Sequence, residues 1–477
     1  LTRRASVLSG KNILDSHFLF DTISSKRELI MNKVTNALVI LLGLTSAQAA
    51  DPNLLGTKLT ANGANPAASV DGVIPAYTGG ITTPPAGYVR GQDHIDPFAA
   101  DTLLYTITAQ NKAQYAARLS AGQNAMLARH PETYRIDVYP TRRACALPQF
   151  VYDETKKNVT RAKLTENGNK VAGARIGVPF PIPKNALEVY WNHNFYWHGH
   201  RFHAVTSGAN VYPNGSRTKI IREDWRYNFY ADPQGPNPKH ENDQFHWMGI
   251  WKAPARFNGS GFSMTNTIDQ LQKPRNGVMF DPNTRKIRRA PPNAVTYDGP
   301  MSTGDGLRQN HNMFVFSGAP DRYEWKLLGK KRMIVPYNAY KAAATTTPRA
   351  GLLTPNHLNP DYVRHEEHRV WVLEATQKPE FNMEQARRVF YVDEDSWIFL
   401  MSDIYNADNE LERVHHTFTK NYYEAPACII EFDAIYDVAS GRYNVDHIKL
   451  DHGPADLDFD IEPSDFGSSA LKRKVGR

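Results

Sequence analysis

Val389-Phe390-Tyr391-Val392-Asp393-Glu394-Asp395-Ser396, running into Trp397-Ile398-Phe399-Leu400-Met401, reads as a β-hairpin. Aromatic and β-branched runs suit the pleated surface of a strand, and the acidic stretch between them supplies residues that reverse a chain. In the second arm Trp397, Phe399 and Met401 alternate with Ile398 and Leu400, so both of its faces are apolar. A sheet built from such arms must bury at least one face against the rest of the chain, and its other face either packs as well or lines an internal space.

The same pattern recurs on either side. Val278 to Thr284 turns into Arg285 to Arg288, and Ala434 to Gly441 turns into Arg442-Tyr443. Further strands are expected at Asp321–Leu328, Arg332–Tyr337 and Val370–Ala375. Strand-like runs continue to about Ile448, which predicts one wide, twisted antiparallel sheet. Helical signals cluster ahead of it. Thr108 can cap a helix reaching Leu119, Ser120 can cap another ending at His130-Pro131, and a third is expected from Asn185 to Asn194. Residues 50–100, rich in Gly, Pro, Ala, Asn and Thr, read as an irregular N-terminal arm, and 101–477 as the sheet domain.

Met31-Asn32-Lys33, the apolar run Ala37 to Leu44 and the exit Ala47-Gln48-Ala49 follow one another in the order of a secretory signal peptide spanning 31–49 and cleaved after Ala49. The apolar run is too short to cross a bilayer core of ~30 Å. Residues 1–30 carry no sustained period and read as leader outside the working protein, the alternative being a genuine N-terminal extension. Ala50 stands where a lipid-anchored protein would need cysteine, and no later run approaches the ~20 apolar residues of a membrane helix. The expectation is therefore a soluble periplasmic chain. Its net charge of +7 falls to about +4 once residues 1–49 are removed, too mild for a protein organised around nucleic acid. Cys145 and Cys428 could pair after export or remain two buried thiols; spacing does not decide.

His198-Gly199-His200, with His203 nearby, could set imidazoles on one strand face for a metal, yet no third ligand stands in a known relation to them. Loop or surface histidines are the plainer reading, and His365/His368 and His415-His416 carry less weight. Glu394 and Asp395 resemble an acid/base pair, but a hairpin tip favours turn-forming, solvated roles. Nucleophile-elbow, dinucleotide and phosphate-loop patterns are missing. No catalytic residue, metal or cofactor is assigned. Lys330-Lys331-Arg332 and Lys472-Arg473-Lys474 could meet anionic lipid heads, solvation being the default.

Several segments resemble one bacterial family. They are Gly72-Val73-Ile74-Pro75-Ala76-Tyr77-Thr78-Gly79-Gly80, Thr106-Ile107-Thr108-Ala109-Gln110-Asn111, Val178-Pro179-Phe180-Pro181-Ile182-Pro183-Lys184 with Trp191-Asn192-His193, Pro320-Asp321-Arg322-Tyr323-Glu324-Trp325-Lys326, and Phe390 to Trp397. The family is a domain of unknown function labelled outer-membrane lipoprotein-sorting protein. The resemblance spans nearly all of residues 51–477. It implies an α+β fold like that of the periplasmic lipoprotein carriers, a curved antiparallel half-barrel whose concave face is covered by helices. It also implies traffic of a lipid or other hydrophobic ligand, alongside an exporter of the resistance-nodulation-division type, and brings no catalytic residues. The leading expectation is a non-enzymatic carrier with Trp371, Phe390, Trp397, Phe399 and Met401 as candidate ligand walls, ordinary core packing being their alternative role. The rivals are a metal-assisted envelope hydrolase using His198, His200 and His203, and a ligand-free transporter adaptor.

Overall fold

The hairpin at 387–405 forms as its residue types demand and supplies the third and fourth strands from one edge of a 15-stranded sheet. The computed structural model describes residues 50–475 apart from 236, 291–298, 302, 450 and 451. The leader and the signal segment lie outside the described residues. Asp51–Arg477 is one compact unit, so the irregular arm belongs with the sheet.

Two short strands, β1 (Tyr105–Ile107) and β2 (Ile136–Val138), open the chain order, and β3 (Lys163–Thr165) with β4 (Lys170–Ala172) makes a separate hairpin. The body of the sheet follows. Its first half is β5 (Arg201–Val211), β6 (Ile220–Asn228), β7 (Asp243–Ala253), β8 (Gly261–Thr267), β9 (Asn276–Asp281) and β10 (Lys286–Arg289). Its second half is β11 (Tyr323–Pro336), β12 (His365–Gln377), β13 (Arg387–Asp393), β14 (Phe399–Tyr405), β15 (Leu411–Tyr422), β16 (Ala427–Asp437) and β17 (Tyr443–Ile448). Neighbours pair antiparallel in the order β11 to β17, then β5 to β10; β1 and β2 join through a single parallel bridge from Val138 to His365. The sheet stays open, an α+β half-barrel arrangement. The two strands expected at 321–328 and 332–337 are one strand, β11, carrying a bulge between Leu327 and Gly329. Gly329 lies at φ +99°, a conformation that favours glycine.

Helices cover both faces. On the outer face lies α1 (Ala121–Arg129), started by the expected cap Ser120, which forms a capping box with Gln123. Asp403 accepts from Ser120 Oγ and the Gly122 amide, each at 3.0 Å, and a side chain at Gly122 would collide with that carboxylate. The helix expected before it is only a 3₁₀ turn, Lys112–Arg118, because Asn111 lacks a capping bond there and its side chain accepts the Thr108 amide instead. Residues Gln149–Arg161 form α2, and Ala186–Phe195, capped by Asn185, form α3. The short α4 (Tyr340–Ala343) and α5 (Arg349–Leu352) follow. C-terminal α6 (Ser468–Val475) buries Ala470 and Leu471 against Trp225, Met248 and Ile250 of the outer face.

Helix α3 occupies the inner face. His193 stacks on Phe399 with ring centres 4.0 Å apart, and Tyr190 packs against Trp325 and Phe316. The Phe399 amide donates to His193 Nδ1 at 3.2 Å, which leaves Nε2 to donate to the Phe314 carbonyl at 2.9 Å. The imidazole is therefore neutral, and burial holds its pKa at about 4. A bulge in the β13–β14 pairing sets Val392 opposite Phe399 but Tyr391 opposite Met401. Tyr391 donates to Asp403 beneath α1, so Met401 shares the outer face with Asp403 while Phe399 faces α3. The single apolar face expected for Trp397, Phe399 and Met401 is thus split. Trp397 stands in the turn at φ +62° and donates to the Asn62 carbonyl of the arm.

Glu394 and Asp395 depart from the expected solvated role: both are buried, Asp395 held by Arg143 at 2.6 Å and Glu394 by Lys330. The segment after β2 supplies Arg143 and β11 supplies Lys330, which also removes Lys330 and Arg332 from the basic edge. Cys145 and Cys428 are joined in a disulfide, with Cα atoms 5.7 Å apart. It ties the segment following β2 to β16.

Two outcomes test this architecture. Cys145→Ser with Cys428→Ser is expected to cost roughly 2–4 kcal/mol, read as a lower denaturation midpoint; an unchanged midpoint contradicts a structural role for the bridge. Burial holds His193 and His415 at about 4 and His365 and His416 at about 3. Below pH 6.5 the unfolded chain takes up protons that the folded chain refuses, so stability should fall steeply from pH 6.5 towards 4. His193→Asn should make that decline shallower; equal slopes in a pH series of unfolding curves count against it.

Candidate functional site

Phe390, Trp397, Phe399 and Met401 are fully buried in the largest apolar cluster, and half-buried Trp371 stacks beside Trp397 beneath the Lys330 ammonium. None of these five is among the residues that line the spaces of about 890, 20 and 30 Å³ in the described structure. Those spaces lie towards β5, β6 and β7.

A cleft of about 890 Å³ opens between α2, β4 and the segment that follows β6. Phe150, Val171, Ile176, Phe195, Phe229 and Tyr230 give it an apolar side, and Lys157, Arg161 and Asp232 are among its polar groups. Tyr230 also borders an interior chamber of about 20 Å³, shared with His193, Tyr196, His198, Arg226 and Phe314. Four of these, Tyr196, His198, Arg226 and Phe314, border a third space of about 30 Å³, walled further by Phe202, Trp247, Ile429, Ile430 and Lys449. Each chamber has room for about one water molecule. Tyr230 thus lines both the cleft and the first chamber, and Phe314, with Tyr196, His198 and Arg226, lines both chambers.

Phe314 belongs to the segment 303–319, which covers the inner face beside α3. Arg308 anchors the segment to Asp433 and Asn444, Arg388 donates to the Val315 carbonyl, and Tyr190 donates to the Gly318 carbonyl. Between these anchors Phe314 and Val315 adopt φ +54° and +74°. Such angles are costly for residues with a Cβ, most of all for β-branched valine. The strained pair is therefore held in place by its surroundings.

Alternation along β6 carries Arg222, Asp224 and Arg226 to the inner face. Asp224 accepts from Arg222 at 2.7 Å, Trp247 at 2.9 Å and Thr206 at 2.8 Å. Burial opposes ionisation of Glu431, yet Lys420 and Lys449, at 3.7 and 3.5 Å, hold it at about 2. Asp433 is bound by Arg308 and His415. Arg226 is the exception. Among the described residues no carboxylate lies within ion-pair distance of it, its Nε has no hydrogen-bond partner, and the rings of Phe202 and Phe314 flank its guanidinium at 5.0 Å each. The residue is only 7% exposed. Burial lowers its pKa and, with the Arg226 charge beside it, holds His198 well below the usual imidazole value, so His198 is neutral. Sequence reading missed Arg226, although a signal was present: three charges at period two between aromatic residues, with one cation more than anions.

The expected His198/His200/His203 cluster does not converge. Buried His198 bonds the Tyr196 carbonyl and faces Tyr230, His200 meets the edge of Tyr227, and His203 is stacked between Trp225 and Phe459 while bonding Glu223. They do not share a strand face, since His203 belongs to β5 and the other two to the turn before it. Among the described residues, the groups with metal-like spacing are His240/Asp243/His246 and His368/Asp393/Asp395. Lys273 already contacts Asp243 at 3.1 Å, and Arg143 occupies Asp395. Internal hydrogen bonding accounts for both groups.

Residues 106–472 match the sequence family described as "Protein of unknown function (DUF1329)". An uncharacterised protein of Pseudomonas aeruginosa is 38% identical over 423 residues, covering 88% of this chain and 92% of its own. Two solved structures are also similar. A DUF1329 family protein from Desulfovibrio piger shares 13% identity at a TM-score of 0.39, over 57% of this chain and 92% of that one. A LolA superfamily protein from Nitrosomonas europaea shares 11% identity at a TM-score of 0.36, over 60% and 99%.

An unpaired buried guanidinium destabilises its own fold. Arg226→Met is therefore expected to raise the stability of the ligand-free protein by about 1–3 kcal/mol, measured as a higher denaturation midpoint. A clear loss of stability would show that Arg226 is satisfied in the free protein.

Proposed function

The chain belongs to the DUF1329 family, and from that premise we propose that it is a soluble carrier of a lipid or similar apolar ligand in the bacterial envelope. The observation that carries the reading is the cleft with its two neighbouring chambers, Tyr230 lining the cleft and the first chamber and Phe314 lining both chambers. Aromatic side chains, Tyr196, Phe202, Tyr230, Trp247 and Phe314 among them, wall the chambers beside a few charged groups, and the cleft pairs one apolar side with a charged one, a lining that can take an acyl chain together with a polar head. The signal-like segment 31–49 and the resemblance to lipoprotein-sorting sequences support an extracytoplasmic address. Among the described residues no helix is long and apolar enough to cross a membrane.

The chambers hold about 20 and 30 Å³, too little for an acyl chain, so loading requires Tyr230 and Phe314 to turn aside. The driving force is sufficient. Burying each methylene contributes ~0.8 kcal/mol, and a twelve-carbon chain gains on the order of 9 kcal/mol before ordering costs. The strained backbone at Phe314 and Val315 makes that segment the part of the cover whose displacement releases energy. Phe390, Phe399 and Trp397 serve this reading as the packed bed that fixes α3, with Trp371 and Met401 at its margins. Exchange with an exporter of the resistance-nodulation-division type is the partner that the sequence resemblance implies.

Native mass spectrometry of protein purified without detergent, followed by solvent extraction, is expected to find acyl-chain adducts. Stripped protein should then take up a fluorescent fatty acid, and Tyr230→Ala should load it several-fold faster. Reproducibly empty protein that also refuses the probe contradicts the carrier reading.

A further inference from the structure

We propose that the ligand carries an oxyanion head, a carboxylate or a phosphate ester, and that Arg226 is the residue that receives it. This deepens the carrier reading and rests on it. Three observations bear on Arg226 independently.

The first is charge accounting around the chambers. Asp224 is committed to Arg222, Glu431 to Lys420 and Lys449, and Asp433 to Arg308. Arg226 stands among them at 7% exposure without an anion of its own. A protein tolerates such a group where something else supplies the missing charge.

The second is geometry. Arg226 borders both interior chambers, so its donors meet open space there, and the first of these chambers is separated from the cleft by Tyr230, which lines both. Phe202 and Phe314 flank the guanidinium, which lends cation–π support. A guanidinium fork matches the paired oxygens of a carboxylate or phosphate, where a neutral or cationic head would leave it unsatisfied.

The third is the chemistry of the neighbours. Neutral His198 borders both chambers, Tyr230 the first and Lys449 the second, and each side chain can contribute a hydrogen bond to an oxyanion in the chamber it lines. Phe314 closes over the site from the strained segment, so one residue both covers the cation and guards the passage. A head group at Arg226 directs its acyl chain back past Tyr230 towards the apolar side of the cleft.

The test uses the full chain, stripped of lipid, with dodecanoate, dodecyl phosphate, dodecanol and dodecyltrimethylammonium as probes and inorganic phosphate as a head-only control. Affinities are read from tryptophan fluorescence and calorimetry. At least one of the two anionic probes should bind about 10- to 100-fold more tightly than dodecanol, as expected of a buried charge-assisted contact, and the cationic probe should bind more weakly still. Comparing dodecanoate with dodecyl phosphate separates a fatty acid from a phospholipid source. In Arg226→Met the preference for anions should collapse to about one, and Arg226→Lys should retain part of it. Because Arg226→Met is expected to be more stable than the parent, lost preference there cannot be put down to misfolding. Dodecanol binding as tightly as both anions, or a preference that survives Arg226→Met, overturns the proposal and leaves the carrier reading standing. Inorganic phosphate binding as tightly as dodecyl phosphate overturns it in favour of a free-anion site. If none of the four amphiphiles binds, the carrier reading falls, and this proposal with it.

Discussion

His193 joins the three parts on which the interior depends. Its ring lies on Phe399, Nδ1 takes the Phe399 amide and Nε2 holds the Phe314 carbonyl, so helix, sheet and cover meet at one neutral imidazole. A second proton would abolish the bond to Phe399, and burial disfavours that proton strongly. With α3 fixed in this way, Phe390 and Phe399 beneath it are fully buried. The remaining inner face, towards β5 to β7, is where the packing leaves space.

The wide sheet explains why cover is needed at all. Strands such as β13 and β14 are apolar on both sides, and left uncovered they would expose aromatic surface. Helices α1 and α6 solve the problem outside, whereas α3 and the segment 303–319 solve it inside. Because the inner cover is part helix and part strained loop, one portion can yield while the other stays pinned by His193, Arg308 and Arg388. A carrier needs that division of labour: a rigid bed, and a local partition that opens.

Much of the sheet was legible from residue types. Acidic turns between aromatic runs marked the hairpins at 278–288, 389–401 and 434–443, and Ser120 and Asn185 marked two helix starts. Bulges were not legible, because an extra residue in a strand leaves no compositional trace. They account for the merged strand β11 and for Met401 facing away from Phe399. Long-range partners were equally hidden. Glu394 and Asp395 look like turn residues until Lys330 and Arg143 arrive from distant segments and bury them. The site suffered most. Large aromatics advertise a core whether or not they touch a ligand, while Arg226 becomes conspicuous only when Asp224, Glu431 and Asp433 are seen to be ion-paired with other cations.

The central claim is that an apolar chain enters the inner face with its head at Arg226, and a crystal structure of the full protein with dodecanoate brominated at its terminal carbon tests it most directly. The account predicts carboxylate density against the Arg226 guanidinium, Phe314 and Tyr230 turned aside, and an anomalous bromine signal at the apolar side of the cleft. Bromine on the outer face beside α1 or α6, with both chambers still closed, would contradict it.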